Sequence, residues 1–256
     1  MRFSLAVCLI FLFAGIASAQ CINQIRISDA DLQVLDAKAR AGDIAAAYSL
    51  GVAYLFRMDS EQDRSLGISW LRQAADKGMS AAEYKLSIAY RLGCGVPKDE
   101  TAAYAHLLKA AEVGYAYAQY DLAARQHSEQ HYVEAGALYL KAALQGLPEA
   151  QIELGKLYEN GQGVPQDYTK AATWYRTACE HRPDYEGSGV RIACNDLGIL
   201  YSRGDGVEQS KIEAYKFFKL SHISENIDSA KCEMTKAEIE EAERLTALWI
   251  KDHPYK

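Results

Sequence analysis

The 256-residue sequence contains only 5 proline residues and no run of four or more basic residues. Few prolines beside abundant alanine and 17 tyrosines suggest closely packed short helices. The lack of basic clusters and the formal net charge of −6 argue against a nucleic-acid partner. Beyond the N-terminal segment, no stretch reaches the ~20 apolar residues of a membrane-spanning helix. We therefore expect a protein that binds no nucleic acid and is not membrane-spanning.

Several catalytic motifs are also missing. No serine lies three residues before a lysine, and no G-x-S-x-G sequence occurs. His127 and His131 have the spacing of zinc ligands, but Ser128 stands where the metalloprotease motif needs glutamate. The Gly-x-Gly-Val sequences lack the third glycine and the preceding strand of a dinucleotide site. We expect no enzymatic activity, no cofactor and no metal ion.

The first nineteen residues have the pattern of a signal peptide. A positive start at Arg2 is followed by the apolar stretch 5–16 and then by the small residues Ala17 and Ala19. This pattern predicts a signal peptide over 1–19, cleaved after Ala19, and a periplasmic or secreted mature protein. Such a compartment is oxidising, so disulfides are permitted.

The remaining chain repeats itself. A leucine followed by a small residue recurs at intervals of 32 to 43 residues, and an alanine always lies four positions before it. A tyrosine lies four positions after it in four of the five cases. Offsets of four place these residues on one face of a helix. The aligned leucines are Leu50, Leu86, Leu122, Leu154 and Leu197.

A turn and a second helix follow each first helix. The turn reads Gly-x-Gly-Val at 93–96, 161–164 and 204–207, and glycine ends a helix in the left-handed conformation without a Cβ clash. Asp99 and Asp167 are candidate N-caps of the second helix. One such helix pair cannot bury its apolar face alone, so consecutive pairs are expected to stack.

This pattern resembles the Sel1-like repeat, a relative of the tetratricopeptide repeat, and the signature reads without a break from Ala150 to Ala178. The resemblance implies an all-α fold: a right-handed α-solenoid of about five helix-turn-helix repeats with N- and C-terminal capping helices, about twelve helices in total. The expected divisions are a capping segment 20–42, repeats 43–79, 80–115, 116–147, 148–189 and 190–226, and a C-terminal capping helix 227–256. The capping-box sequence Thr235–Glu238 opens that last helix.

Three repeats depart from the pattern. The first lacks the glycine turn but keeps its full length, and reads Arg57-Met58-Asp59 at that place. The third lacks the glycine turn and is shorter, with its turn near 127–131. About seven extra residues after the fourth repeat predict a protruding loop over 180–192.

The cysteine placement is similar to that of the cysteine-rich secreted Sel1-repeat proteins of Helicobacter. That resemblance implies a disulfide between Cys179 and Cys194, and two buried free thiols are the alternative. Cys21 and Cys94 form a tentative second pair, which leaves Cys232 unpaired. Single surface thiols are the alternative for these three.

The first helix of each pair lines the concave surface in tetratricopeptide repeats, so the resemblance also implies a binding face. For Tyr48, Tyr84 and Tyr120, packing against neighbouring helices is the alternative to binding. The expected partner-binding residues are Tyr48, Phe56, Tyr84, Arg91, Tyr117, Tyr120, Lys156, Asn195 and Arg203.

The function that the resemblance implies is non-catalytic binding of another protein, either a secreted effector or an envelope protein. The most specific form is an immunity or inhibitor protein that neutralises a secreted effector such as a type VI secretion phospholipase. One alternative is an envelope adaptor that regulates a sensor kinase or a flagellar motor. The other is a β-lactamase-like or cell-wall-binding secreted protein, as described for the Helicobacter relatives.

Overall fold

The structure is a computed structural model that describes residues 28–56, 60–181 and 189–253, with only the backbone described at Phe56. All the regular elements in these ranges are helices, and the expected all-α class is confirmed. The chain divides into two compact units, with the boundary between Tyr117 and Ala118.

Thirteen helices lie in the described part of the chain, one more than the sequence predicts. Unit 1 holds α1 (Asp29–Arg40), α2 (Ile44–Phe56), α3 (Glu61–Asp76), α4 (Ser80–Leu92) and α5 (Glu100–Glu112). The boundary falls in the first turn of α6 (Ala116–Ser128), and unit 2 continues with α7 (Tyr132–Leu144), α8 (Pro148–Asn160), α9 (Tyr168–Cys179), α10 (Val190–Arg203), α11 (Lys211–Ser221), α12 (Ser224–Cys232) and α13 (Lys236–Asp252). The additional helix is α12, which buries none of its residues and so lacks the apolar periodicity that marks the others.

Consecutive helices pack as antiparallel pairs within each unit. In unit 1, α2 packs on α3 and α4 on α5, with α1 against α2 and α3 against α4. In unit 2, α8 packs on α9 and α10 on α11, while α7 packs on α8, and α12 and α13 both pack on α11. Buried alanines and leucines from both helices of a pair form the core of each unit.

The small residue after each aligned leucine has a steric cause. A Cβ atom added at Gly155 would lie 2.6 Å from the ring of Tyr175, and one at Gly198 would lie 2.7 Å from the ring of Phe218. Both rings belong to the second helix of the same repeat, and both are buried. In these two repeats the first helix therefore has no room for a side chain at this position, because the ring of the second helix occupies the space.

The Gly-x-Gly-Val turns join neighbouring repeats. A Cβ atom on Gly163 would lie 2.4 Å from the carbonyl of Tyr132, in the first turn of α7 of the preceding repeat. Gly95 approaches Arg64 in the same way, and Gly206 approaches Tyr168. The second glycine of the turn is thus the point at which one repeat rests on the start of the previous second helix.

The helix caps follow the sequence. The side chain of Asp99 accepts hydrogen bonds from the N–H groups of Thr101 and Ala102, and Asp167 accepts one from Lys170. Thr235 and Glu238 form a capping box at the start of α13. Each of these side chains satisfies backbone donors that the first helical turn leaves unpaired.

The structure describes two of the departures from the repeat pattern, the short turn of the third repeat and part of the loop after the fourth. The departure of the first repeat, at 57–59, lies outside the described ranges. The short turn of the third repeat connects Ser128 to Tyr132 and places Gln130 in the left-handed region at a φ of 65°. The loop expected over 180–192 is shorter than predicted, because α10 begins at Val190 and the last three residues are helical. Residues 182–188 of that loop lie outside the described ranges.

No helix in the described ranges is long and apolar enough to cross a membrane. The predicted signal peptide 1–19 and Cys21 lie outside those ranges, so the tentative Cys21–Cys94 pair does as well.

Candidate protein-binding surfaces

Unit 1 carries a tyrosine cluster, which we define as Tyr48, Tyr84, Tyr115 and Tyr117. The ring of Tyr84 lies 5.3 Å from that of Tyr115 and 6.3 Å from that of Tyr117, measured between centroids. Tyr115 and Tyr117 are themselves 5.8 Å apart. Burial raises the pKa of Tyr48 to about 12, and burial with the neighbouring Tyr48 and Tyr117 raises the pKa of Tyr115 further. At neutral pH the cluster is therefore an uncharged surface with aromatic faces and hydroxyl groups.

The members of this cluster differ in exposure. Tyr84 is only 3% exposed, so its ring packs beneath the others. Tyr48, Tyr115 and Tyr117 are half-buried and present part of their rings to solvent. Tyr115 lies in the turn before α6, outside the positions that the repeat alignment marks, and the sequence reasoning missed it.

The other expected residues of unit 1 lie on the same first helices. Arg91 is exposed in the last turn of α4, two turns beyond Tyr84. Phe56 is the last residue of α2, and its side chain lies outside the described part.

Unit 2 carries a polar cluster, which we define as Glu153, Lys156, Glu159, Asn195 and Asp196. The Nζ of Lys156 lies 2.7 Å from a carboxylate oxygen of Glu153. The hydroxyl of Tyr175 donates a 2.6 Å hydrogen bond to Glu159. Helix α8 supplies the first three members and α10 the other two, because α8 and α10 are the first helices of adjacent repeats.

Asp196 is the perturbed group of the polar cluster. Its pKa is raised to about 6, mainly by burial, and the charge of Glu159 contributes in the same direction. The amide of Asn195 and the charge of Lys156 act in the opposite direction but do not cancel the burial. The cluster contains three carboxylates and one ammonium group, so it has an excess of negative charge.

Asn195 links the cluster to the C-terminal cap. Its Oδ1 accepts a 2.5 Å hydrogen bond from Nδ2 of Asn226 in α12, and its Nδ2 lies 3.4 Å from Asp196. Arg203 is exposed in the last turn of α10.

Tyr120 of α6 lies close to acidic residues of unit 2. Its ring lies 5.7 Å from that of Tyr139, which is buried. Burial raises the pKa of Tyr120 to about 12, with further contributions from Glu153, Glu149 and Asp121. Tyr120 is half-buried, so its ring both packs and meets solvent.

The sequence reasoning identified Lys156, Glu159 and Asn195 as facing the binding surface but missed Glu153 and Asp196. Glutamates three residues apart from Lys156 on one helix were a usable signal, since such spacing places side chains side by side. The raised pKa of Asp196 had no such signal, because it depends on burial in the packed structure and on Glu159 of α8.

The structure contains a disulfide between Cys179 and Cys194, with the two Cα atoms 5.1 Å apart. Both cysteines are fully buried, and the bond joins the end of α9 to the first turns of α10. Cys94 is half-buried in the turn between α4 and α5, and Cys232 is exposed at the end of α12.

The two histidines with zinc-like spacing engage different partners. His127 meets the ring of Tyr132 edge-on at 5.1 Å, and Nδ1 of His131 lies 3.0 Å from Oε1 of Gln126. Across the described ranges, no group of three or more histidine, cysteine, aspartate or glutamate side chains is arranged to hold a metal ion.

The Sel1 repeat family model matches this chain five times, over more than half of its length. The matched residues are 44–79, 80–115, 116–147, 148–182 and 191–221. An uncharacterized Sel1-like repeat-containing protein of Schizosaccharomyces pombe is 33% identical over 91 residues, which make up 36% of this chain and 12% of that protein.

Two solved structures extend the similarity. A protective antigen present in uropathogenic Escherichia coli strains, which displays an SLR fold, is 28% identical with a TM-score of 0.73. The match covers 87% of this chain and 49% of the antigen. A Sel1 repeat protein from Oxalobacter formigenes is 25% identical with a TM-score of 0.63, over 77% of this chain and 79% of that one.

This chain therefore spans about half of the E. coli antigen and a small part of the yeast protein. The matches confirm the Sel1-like resemblance and the repeat-solenoid class. Sel1-repeat folds are typically non-catalytic scaffolds for protein–protein interaction. The five repeats, the paired helices and the glycine turns between them place the chain in the Sel1-repeat family.

Proposed function

We propose that this protein is exported and binds another protein through the first helices of its repeats, without catalysis. The contact surfaces are the half-buried members of the tyrosine cluster, Tyr48, Tyr115 and Tyr117, and the polar cluster of unit 2. Tyrosine and arginine side chains are frequent binding hot spots because they combine apolar area with hydrogen-bonding groups. The partner carries basic side chains that meet the polar cluster.

The observation that carries this proposal is the unfavourable position of Asp196. A carboxylate whose pKa is raised to about 6 by burial is costly when charged at neutral pH. The charge of Glu159 adds to that cost. A lysine or arginine of a partner would attract both carboxylates, so binding would offset part of the free-energy cost of keeping Asp196 charged. Complementary charges also speed the encounter of two proteins.

The most specific form of the proposal is an immunity or inhibitor protein for a secreted effector such as a type VI secretion phospholipase. The stacked helix pairs of one unit can cover an active site by surface contact alone. The acidic excess of the polar cluster and the net charge of −6 suit a basic effector. Charge complementarity predicts a basic partner, and the capture experiment identifies it.

Export is part of the proposal. The buried Cys179–Cys194 disulfide supports it, because such bonds persist in oxidising compartments. N-terminal sequencing of the protein recovered from a periplasmic fraction should begin at Gln20. Recovery of the intact N terminus from the cytoplasm contradicts export.

The binding test uses the purified, oxidised protein as bait for envelope proteins and for the products of neighbouring genes. A stoichiometric partner is identified by mass spectrometry, and its affinity is measured by calorimetry. Replacing Asp196 with asparagine should weaken binding by roughly tenfold, because one partner of a buried charge pair is lost. The control is Glu180→Gln, which removes the same charge from an exposed position at the end of α9.

Partner binding should also depend on pH. A cation next to Asp196 lowers its pKa, so binding should strengthen as pH rises through about 6. A captured phospholipase that loses activity at one equivalent of bait supports the immunity form. A sensor kinase supports regulation instead. Equal effects of Asp196→Asn and Glu180→Gln contradict the proposed surface, and so do retention on peptidoglycan or turnover of a β-lactam without a protein partner.

A further inference from the structure

The second helix of the third repeat exposes an apolar stripe, which we define as Val133, Ala137, Leu140 and Leu144 of α7. Val133 is 66% exposed, Leu140 37% and Leu144 72%. These residues are separated by four, three and four positions, so they lie on one face of the helix. The opposite face, which includes Ala135, Tyr139 and Ala142, is buried in unit 2.

The equivalent positions of the first and fourth repeats are polar. Aligning the second helices on Trp70, Leu138 and Trp174 matches the stripe to Ser65, Ser69, Arg72 and Asp76 in α3, and to Thr169, Thr173, Arg176 and Glu180 in α9. All eight of those residues are exposed, as a solvated helix face requires. The second and fifth repeats are mixed at these positions, with Thr101, Ala105, Leu108 and Glu112 in the one and Ile212, Lys216, Lys219 and Ile223 in the other. Of the five repeats, only the third is apolar at all four positions. An exposed apolar face of this kind marks an interaction site.

Two opposite charges flank the stripe on the same side. Glu134 and Lys141 are both exposed and lie seven residues apart, close to two full helical turns. On the other flank, Gly136 and Ala143 are buried within unit 2. Only one flank is thus available to meet a partner, and it carries one acid near the start of the helix and one base near its end.

This arrangement is self-complementary under two-fold symmetry. When two copies of α7 pack antiparallel, Val133 of one copy meets Leu144 of the other, and Ala137 meets Leu140. The same flanks then face each other, as in antiparallel coiled coils, and Glu134 of each copy faces Lys141 of its partner. One second copy of the chain, in one orientation, therefore covers the apolar stripe and pairs both charges.

We propose that α7 is the interface of an antiparallel homodimer, in which a second copy of this chain covers the apolar stripe. The α7 surface lies on a second helix and is separate from the first-helix surfaces of the proposed function. One 13-residue helix pair buries less than the about 800 Å² per partner of a standard interface. The dimer is accordingly of moderate affinity, with a dissociation constant on the order of 10–100 µM.

Sedimentation equilibrium of the full, oxidised protein as purified from the cell tests the proposal. We expect a monomer–dimer equilibrium between ~1 µM and ~1 mM, the range that brackets this affinity. A protein that stays monomeric up to the top of this range overturns the proposal and assigns the stripe to a different partner.

A pair of matched variants locates the interface. Leu144→Asp should weaken the dimer by at least ~10-fold, because it places a charge at a desolvated contact. Val113→Asp makes the same change at a residue that is 70% exposed after α5, and should leave the dimer unchanged. Circular dichroism confirms that both variants fold. A dimer that withstands Leu144→Asp, or that loses equal affinity in both variants, refutes α7 as the interface.

Charge reversal tests the antiparallel geometry. Glu134→Lys and Lys141→Glu should each weaken the dimer, because each places like charges opposite one another. The double variant should restore wild-type affinity, and an equimolar mixture of the two single variants should form a heterodimer. A double variant that stays as weak as the single ones contradicts the antiparallel pairing.

Discussion

Replacing Gly163 with alanine tests the role of the second turn glycine in joining neighbouring repeats. Gly163 has a φ of 70°, where a residue with a Cβ atom costs about 1–2 kcal/mol. The new Cβ would also lie 2.4 Å from the carbonyl of Tyr132, so the first turn of α7 must shift. Forcing extra atoms into a packed contact costs about 1–3 kcal/mol.

Gly146 is the matched control. Its φ of 84° carries the same conformational strain, but a Cβ there meets nothing within 4 Å. Both glycines lie in unit 2, and alanine restricts the unfolded chain equally at both, which offsets about 0.4–1 kcal/mol of the strain. We expect Gly163→Ala to lower the free energy of unfolding by about 2–4 kcal/mol and Gly146→Ala by about 1 kcal/mol.

Urea unfolding followed by far-ultraviolet circular dichroism measures both variants against the wild-type protein. The informative quantity is the difference between them, which isolates the contact with Tyr132 from backbone strain. Equal losses of unfolding free energy would refute the idea that this glycine is required by the approach of the preceding repeat.

Three further predictions concern residues of the two surfaces and the disulfide. Burial raises the pKa of Asp196 to about 6, above its value of about 4 in an unfolded chain, so its contribution to stability falls as pH rises between these values. Asp196→Asn should flatten that part of the urea-derived stability profile and add about 1–2 kcal/mol at pH 8, after allowance for partial exposure. Reducing the Cys179–Cys194 bond, which closes a separation of 15 residues, should lower the unfolding free energy by about 3 kcal/mol, and Cys179→Ala/Cys194→Ala protein should not respond to reductant in the same titration. Tyr84→Ala should cost about 3–5 kcal/mol in thermal or urea unfolding and leave partner affinity unchanged while the protein is folded, because the ring is 3% exposed.

The Asp196 and Tyr84 variants together distinguish an effect on binding from an effect on stability. Asp196→Asn should make the protein more stable and a weaker binder, whereas Tyr84→Ala should make it less stable with its affinity unchanged. A residue retained at a cost to stability indicates a functional constraint. Calorimetry and urea titration on these two variants therefore decide which of Asp196 and Tyr84 acts in binding and which acts in packing.

Much of the fold followed from local patterns. The offsets of four around Leu154, the Gly161–Val164 turn and the Asp167 cap are short-range features, and each has one common structural solution. The repetition of these features predicted paired helices before any contact was known. Helix α12 was missed because it buries none of its residues and offers no periodic apolar face.

The surfaces depended on packing between elements distant in sequence. The exposure of Tyr84 could not be predicted, because the burial of its ring depends on Tyr115 in a turn about thirty residues away. The raised pKa of Asp196 comes from burial on α10 and from Glu159 on α8. Helical periodicity places a side chain on a face, but only the neighbouring helices decide whether that face meets water.

The sequence by itself determined the helices, their caps, the repeat unit and the family, because these are encoded by spacings within about forty residues. Tertiary structure decided which tyrosines are buried, which carboxylate is perturbed and that the stripe on α7 is left in solvent. Those properties depend on desolvation by neighbouring repeats, and desolvation is set by the packed arrangement of helices rather than by the residue itself.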